Sequence, residues 1–153
     1  MDLSFSASSE NPKQLFNYHA GVINGIGCSP NTHFFCTTAD DGSIKAYNYL
    51  TYQIVAQTQF KNQGTSLKWL PTQVDPDGAT ICTGYEDGLL RFLKLRPNEK
   101  EQKNKKIPKL PYEFALFEIF KPHTKPITKL SVNRSGTIIV TAVRNFLCLH
   151  VFF

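Results

Sequence analysis

Nowhere does this chain approach the ~18 consecutive apolar residues that a membrane span requires. Its first residues, MDLSFSASSENPKQ, lack the basic start and apolar run of a secretory signal. Nine Gly and nine Pro in 153 residues leave no excess for collagen-like or low-complexity structure. No Cys-x-x-Cys occurs, and none of Cys28, Cys36, Cys82 and Cys148 stands at zinc-finger spacing from a histidine. A Gly-rich phosphate loop, a paired-carboxylate site and a convincing amphipathic helix are all missing, so nothing argues for an enzyme. What is present excludes wholesale disorder: 41% of residues are hydrophobic and 19% charged. The length suffices for one domain with a real core. Such a composition suits a soluble intracellular globular protein.

The net charge of +5 is uneven. Residues 96–110, RPNEKEQKNKKIPKL, hold six Lys or Arg against two Glu, and the remainder is nearly balanced. The basicity therefore reads as one segment and not as a face of the fold. That segment has no aromatic residue and is bounded by Pro97, Pro108 and Pro111, which predicts a solvated linker. Without base-stacking rings beside the lysines, sequence-specific nucleic-acid binding is not expected. All four cysteines lie in or beside apolar runs, which predicts buried free thiols in a reducing compartment.

Repetition carries most of the information. YHAGVINGIGCSPN (18–31) and PHTKPITKLSVNRSG (122–136) share a histidine, His19 or His123, followed by apolar positions at +4, +7 and +9 and then a turn. The +7/+9 pair has the period of a half-buried strand. After each turn comes a second apolar run with threonine at a fixed point: Thr37, Thr83 and Thr141. Four residues on stand Asp41, Asp87 and Asn145, in tight-turn contexts. A third run follows each, and fourth strands are expected at 53–60 and 112–120. The predicted strands are 22–28, 33–38, 43–49, 53–60, 65–70, 79–84, 89–95, 112–120, 127–132, 137–142 and 146–152. Trp69 is expected to pack in the core, while Asp75 and Asp77 around Pro76 are turn residues.

Units of four strands at a period near ~40–45 residues are the mark of WD40 propellers. TTADDGSIKAYN (37–48) resembles the tail of that repeat, with Tyr47 and Asn48 in place of Trp-Asp. His19 and His123 match the histidine of its Gly-His element. The second unit has no such histidine, and the third has Asn145 for the aspartate. The resemblance implies an all-β fold of about three WD40 blades, an incomplete propeller over 15–153 with a basic linker at 96–111 and a disordered 1–14. It also implies a structural hydrogen-bond network of His19, Thr37, Asp41 and Tyr47, echoed by Thr83, Asp87, His123, Thr141 and Asn145. Three sets of strands fall short of the four to eight blades of closed propellers, which suggests a fragment or short isoform of a longer protein.

FNYHAGVINGIGCSP, IVAQTQFKNQGTSLKWLP with the turn TQVDPDG, GYEDGLLRFLKL and FKPHTKPIT together resemble the cilia- and flagella-associated WD-repeat family numbered forty-four. That resemblance implies a non-enzymatic scaffold of the ciliary or flagellar axoneme, part of the cytoskeleton. It would tether an inner-arm dynein motor to the doublet microtubule and support motility. Its partners would be other axonemal proteins of the tether, with tubulin a further candidate. Cofactors, metals, nucleic acid and membrane are not expected. A general intracellular WD40 adaptor is the alternative, with nucleic-acid binding through the basic linker a weaker one.

Overall fold

The computed structural model describes residues 19–99 and 109–151, with side chains as far as Asn145 and that of Leu147. Eleven strands and no helix make up these residues. The first sheet contains β1 (Ile23–Cys28), β2 (Phe34–Ala39), β3 (Ser43–Asn48) and β4 (Gln53–Gln59). The second contains β5 (Gly64–Trp69), β6 (Thr80–Tyr85), β7 (Leu90–Pro97) and β8 (Tyr112–Phe120). The third contains β9 (Lys129–Val132), β10 (Ile138–Val143) and β11 (Phe146–Val151). Within each sheet the strands lie in chain order and pair antiparallel, so each is a meander.

Register makes the repetition physical. Ile26 opposes Thr37, Leu67 opposes Thr83 and Leu130 opposes Thr141. The bulge at Ile23/Gly25 recurs at Gly64/Ser66, and the one at Ala46/Tyr47 recurs at Phe92/Leu93. Such bulges raise the local twist, and the sheets then stack as blades. Inner strands β1, β5 and β9 run side by side, and outer strand β4 lies beside β8. Alternation sends one face of each strand into an interface. Cys36, Ile44, Ala46 and Ala56 of the first sheet meet Leu67, Trp69, Ile81 and Leu93 of the second. Cys82, Leu90 and Phe92 meet Ile127, Leu130 and Ile139. Burying a side chain such as Ile44 or Leu93 contributes about 1.5–3 kcal/mol. Gly64 is required at the first interface, because a Cβ there would fall on the Thr38 hydroxyl.

Three expectations need adjustment. Cys36 and Cys82 are buried, but Cys28 is exposed, since alternation turns it away from the face shared with the second sheet. The strand expected at 127–132 starts at Lys129, because the Ile127 amide donates to Tyr85 O of the neighbouring blade instead (3.1 Å). The basicity is not confined to one segment: residues 121–153 hold five Lys or Arg and no Asp or Glu. The linker expected at 96–111 is anchored at both ends. Arg96 and Pro97 finish β7, Arg96 pairs with Glu113, and Asn98 N–H donates to Pro111 O. Residues 100–108, and the expected disordered 1–14, lie outside the described residues.

Candidate functional site

The polar residues singled out in the sequence converge on the turn that joins the second and third strands of each blade. In the first blade Asp41 occupies that turn, and Gly42 follows in the left-handed region (φ 74°), where glycine carries no Cβ penalty. The Asp41 carboxylate accepts from Ser43 N (2.9 Å), Ser43 Oγ (2.6 Å) and Ala20 N (2.9 Å). Because the Ser43 hydroxyl donates to Asp41, it must accept from His19 Nδ1–H (2.8 Å). His19 is then the Nδ1–H tautomer, and its Nε2 accepts from the Thr37 hydroxyl (2.6 Å). His19 Nδ1 lies 3.6 Å from Asp41 Oδ1, so serine relays the contact. Sequence reasoning omitted Ser43, although Asp-Gly-Ser carried the signal: a serine two residues after an aspartate can bond back to it.

Electrostatics match this geometry. Burial, then nearby Lys45, lowers the His19 pKa despite the opposing Asp41, which favours the neutral ring. Burial would raise the Asp41 carboxyl. The Ser43 hydroxyl, the Ala20 and Ser43 amides and His19 outweigh it and hold the carboxyl at about 2. Tyr47, placed in the same set from sequence, is buried on β3 and stacks on Phe35 (centroids 5.0 Å apart). Trp69 is buried between the first two blades, where its Nε1–H donates to Gly27 O (2.7 Å).

The second blade solves the same problem with different chemistry. By register Phe60 stands where His19 stands, and Leu89 replaces Ser43. Arg91 fills the space. Its guanidinium lies over Tyr85 (4.0 Å) and Phe60 (5.0 Å) and pairs with Asp87 (2.9 Å). Asp87 also accepts from Leu89 N, and Thr83 Oγ1 donates to Arg91 O. Cation–π attraction is strongest where water is excluded, as around buried Arg91. In the third blade His123 Nε2 again meets Thr141 Oγ1 (2.9 Å). There the turn is one residue shorter, and Asn145 stands in the left-handed region (φ 86°) like Gly42 and Gly88. Asn145 thus takes the glycine's backbone role.

The buried Asp75, treated from sequence as one of a pair of turn residues, caps the 71–79 loop by accepting from Ala79 N and Thr80 N. The Cys36 and Cys82 thiols are pushed up by burial, which suits packing more than chemistry. Ser43 is buried and its hydroxyl points at a carboxylate, so the Asp–Ser–His set restrains a turn and presents no accessible nucleophile. Among the described residues no three His, Cys, Asp or Glu side chains gather to hold a metal, and no helix is long and apolar enough to cross a membrane.

Four-stranded meanders stacked as blades, with a His–Thr–Ser–Asp turn network, define a WD40 propeller. The model of the WD domain, G-beta repeat, matches residues 10–48, so the chain carries a WD40 repeat. Over 92% of its length it is 37% identical to Cilia- and flagella-associated protein 44 of Mus musculus. Over 84% it is 28% identical to the protein of that name in Chlamydomonas reinhardtii. The chain spans only 8% and 7% of those two relatives. A chain in the crystal structure of the mitotic checkpoint complex matches 89% of this one, and 38% of that chain is covered. The TM-score is 0.69 at 17% identity, a likeness of fold alone.

Proposed function

We propose that this chain is part of a non-enzymatic scaffold of the ciliary or flagellar axoneme. In this reading it acts in the tether between an inner-arm dynein motor and the doublet microtubule, and so supports motility. The observation that carries the reading is the 37% identity to a cilia- and flagella-associated protein, which extends along 92% of the chain and so takes in all three blades. The geometry is in keeping with it. Polar side chains are spent on turns, which leaves a rigid frame that presents loops, the usual way a propeller meets other proteins. His19, Thr37, Asp41 and Tyr47, with Thr83, Asp87, His123, Thr141 and Asn145, hold that frame. The partners are other axonemal proteins of the tether, with tubulin a further candidate. Proximity labelling from the full-length protein in ciliated cells tests the proposal. Axonemal dynein-associated proteins are the expected label set. A set without axonemal components would leave a general intracellular WD40 adaptor.

A further inference from the structure

The fourth strand of each complete blade has one edge without a neighbour. In the second blade that strand is β8, which among the described residues pairs only with β7. Alternate residues of such an edge direct N–H and C=O outward, a template for a further strand. Propellers leave these edges short and protected, yet β8 is the longest strand described, at nine residues. Lysine, proline and bulges are the devices that blunt an edge. β8, YEFALFEIF, contains neither lysine nor proline, and its single bulge has a counterpart in β4.

Its side chains are also more apolar than the fold requires. Leu116 opposes Leu93, and Ile119 opposes Arg91. Leu93 packs into the interface with the first blade, and Arg91 stacks on Phe60, which follows β4. Cross-strand partners share a face, so Leu116 and Ile119 turn toward the first blade. That blade has all four strands, so no missing neighbour accounts for their exposure, 41% and 49%. At the equivalent register β4 carries Ile54, which is half-buried, and the polar Gln57. The carboxylates of β8 lie on its opposite face, where Glu113 holds Arg96 and Glu118 opposes Phe92. Lys109 precedes the strand and Lys121 follows it. Both are exposed, and neither forms an ion pair with a described residue.

We infer that the outer edge of β8 takes up an extended peptide segment as a fifth strand, with aliphatic side chains beside Leu116 and Ile119 and acidic residues at its ends, on Lys109 and Lys121. Main-chain hydrogen bonds give affinity, and alternate side chains give selection. Charge complementarity sets the acids. A second copy of the chain fits less well. Two such edges, about 30 Å long and about 10 Å deep, bury roughly 600 Å² together, short of the ~1,000 Å² of a stable interface. Antiparallel self-pairing would also bring Lys109 toward Lys121 at both ends, and like charges across a strand pair are destabilising. The inference rests on the scaffold reading and not on the axonemal one.

The test uses the full 153-residue chain and a fluorescein-labelled peptide of alternating Val and Thr with Asp at both ends, read by fluorescence anisotropy. Leu116→Lys with Ile119→Lys should weaken binding about tenfold or more, because charge enters an apolar edge. Lys109→Glu with Lys121→Glu should weaken it about fivefold, as attraction becomes repulsion. The peptide N-methylated on every Val, or on every Thr, separates strand pairing from apolar or charge contact alone, since one set of amides faces β8 and the other faces solvent. One methylated peptide should lose about tenfold or more, and the other should stay within about twofold. If the lysine variant unfolds the chain by circular dichroism, Leu116→Thr with Ile119→Thr serves instead, with a loss of about threefold expected. No binding of the unmodified peptide, unchanged affinity in the edge variants, or an equal response to both methylated peptides would overturn the inference. So would a dimer in analytical ultracentrifugation that Ile119→Lys dissociates, because the edge would then belong to a second copy. Failure here leaves the axonemal proposal standing, because that proposal is read from cellular labelling.

Discussion

Asp41 is the residue on which the first turn depends most. Its two oxygens satisfy two backbone amides and one hydroxyl, and through that hydroxyl they orient His19. Asp41→Ala should cost about 1–3 kcal/mol in a denaturant melt, because the donors lose their acceptor. Asp77→Ala, on an exposed turn with only a 3.5 Å approach from Lys94, should cost under about 0.5 kcal/mol. Equal losses would refute the network. The same residues set a pH dependence. The His19 pKa is lowered in the folded state, so the unfolded chain binds the proton more readily. Stability is therefore present above the ordinary histidine value of 6.5 and falls as pH drops below it. Asp41 is depressed from 3.8 to about 2, so its contribution persists above pH 3.8 and is lost as pH falls through about 2. Thermal melts from pH 8 to 2 should show both losses, and His19→Gln should remove the upper one alone.

At the scale of the element, the three blades show that one turn can be stabilised by different means. The first uses a carboxylate with three donors, linked through serine to a neutral histidine, and the second uses a buried cation between two rings and a carboxylate. Arg91→Ala should cost about 2–4 kcal/mol, since it leaves Asp87 without its cation and opens space over Tyr85. Arg91→Lys should recover only part of this, because an ammonium cannot stack as a flat guanidinium does. Full recovery in chemical denaturation would show that charge alone matters. Repetition made the strands readable: alternating apolar runs between turn residues recur too regularly for another reading. The Phe60–Arg91–Tyr85 clamp was not readable. Its members lie 6 to 31 positions apart, and nothing local marks an arginine as buried.

In the molecule as a whole, stability rests on blades pressed face to face. Gly64→Ala should be destabilising by about 1–3 kcal/mol through overpacking against Thr38. Thr38→Ala in the same chain should recover much of that loss, and a double-mutant cycle would measure the coupling across the interface. Simple additivity would mean that the two blades do not meet there. Limited trypsin digestion should cut first within 99–109, where charge and the lack of large aromatics leave little to bury. First cuts inside β1–β4 would contradict the relative stability of the blades.

The sequence by itself determined the secondary structure, the meander order and the positions of His19, Thr37 and Asp41 at the first turn. These follow from local rules: a period of two, turn chemistry and a recurring offset. Only the tertiary structure decided how those groups connect. Ser43 relays between His19 and Asp41, Arg91 substitutes for a histidine, and Asn145 takes a glycine's role because its turn is one residue shorter. It likewise decided that Cys28 faces outward. Such outcomes depend on which face of one sheet meets the next, and on side chains brought together from distant positions. Spacing along the chain does not encode either.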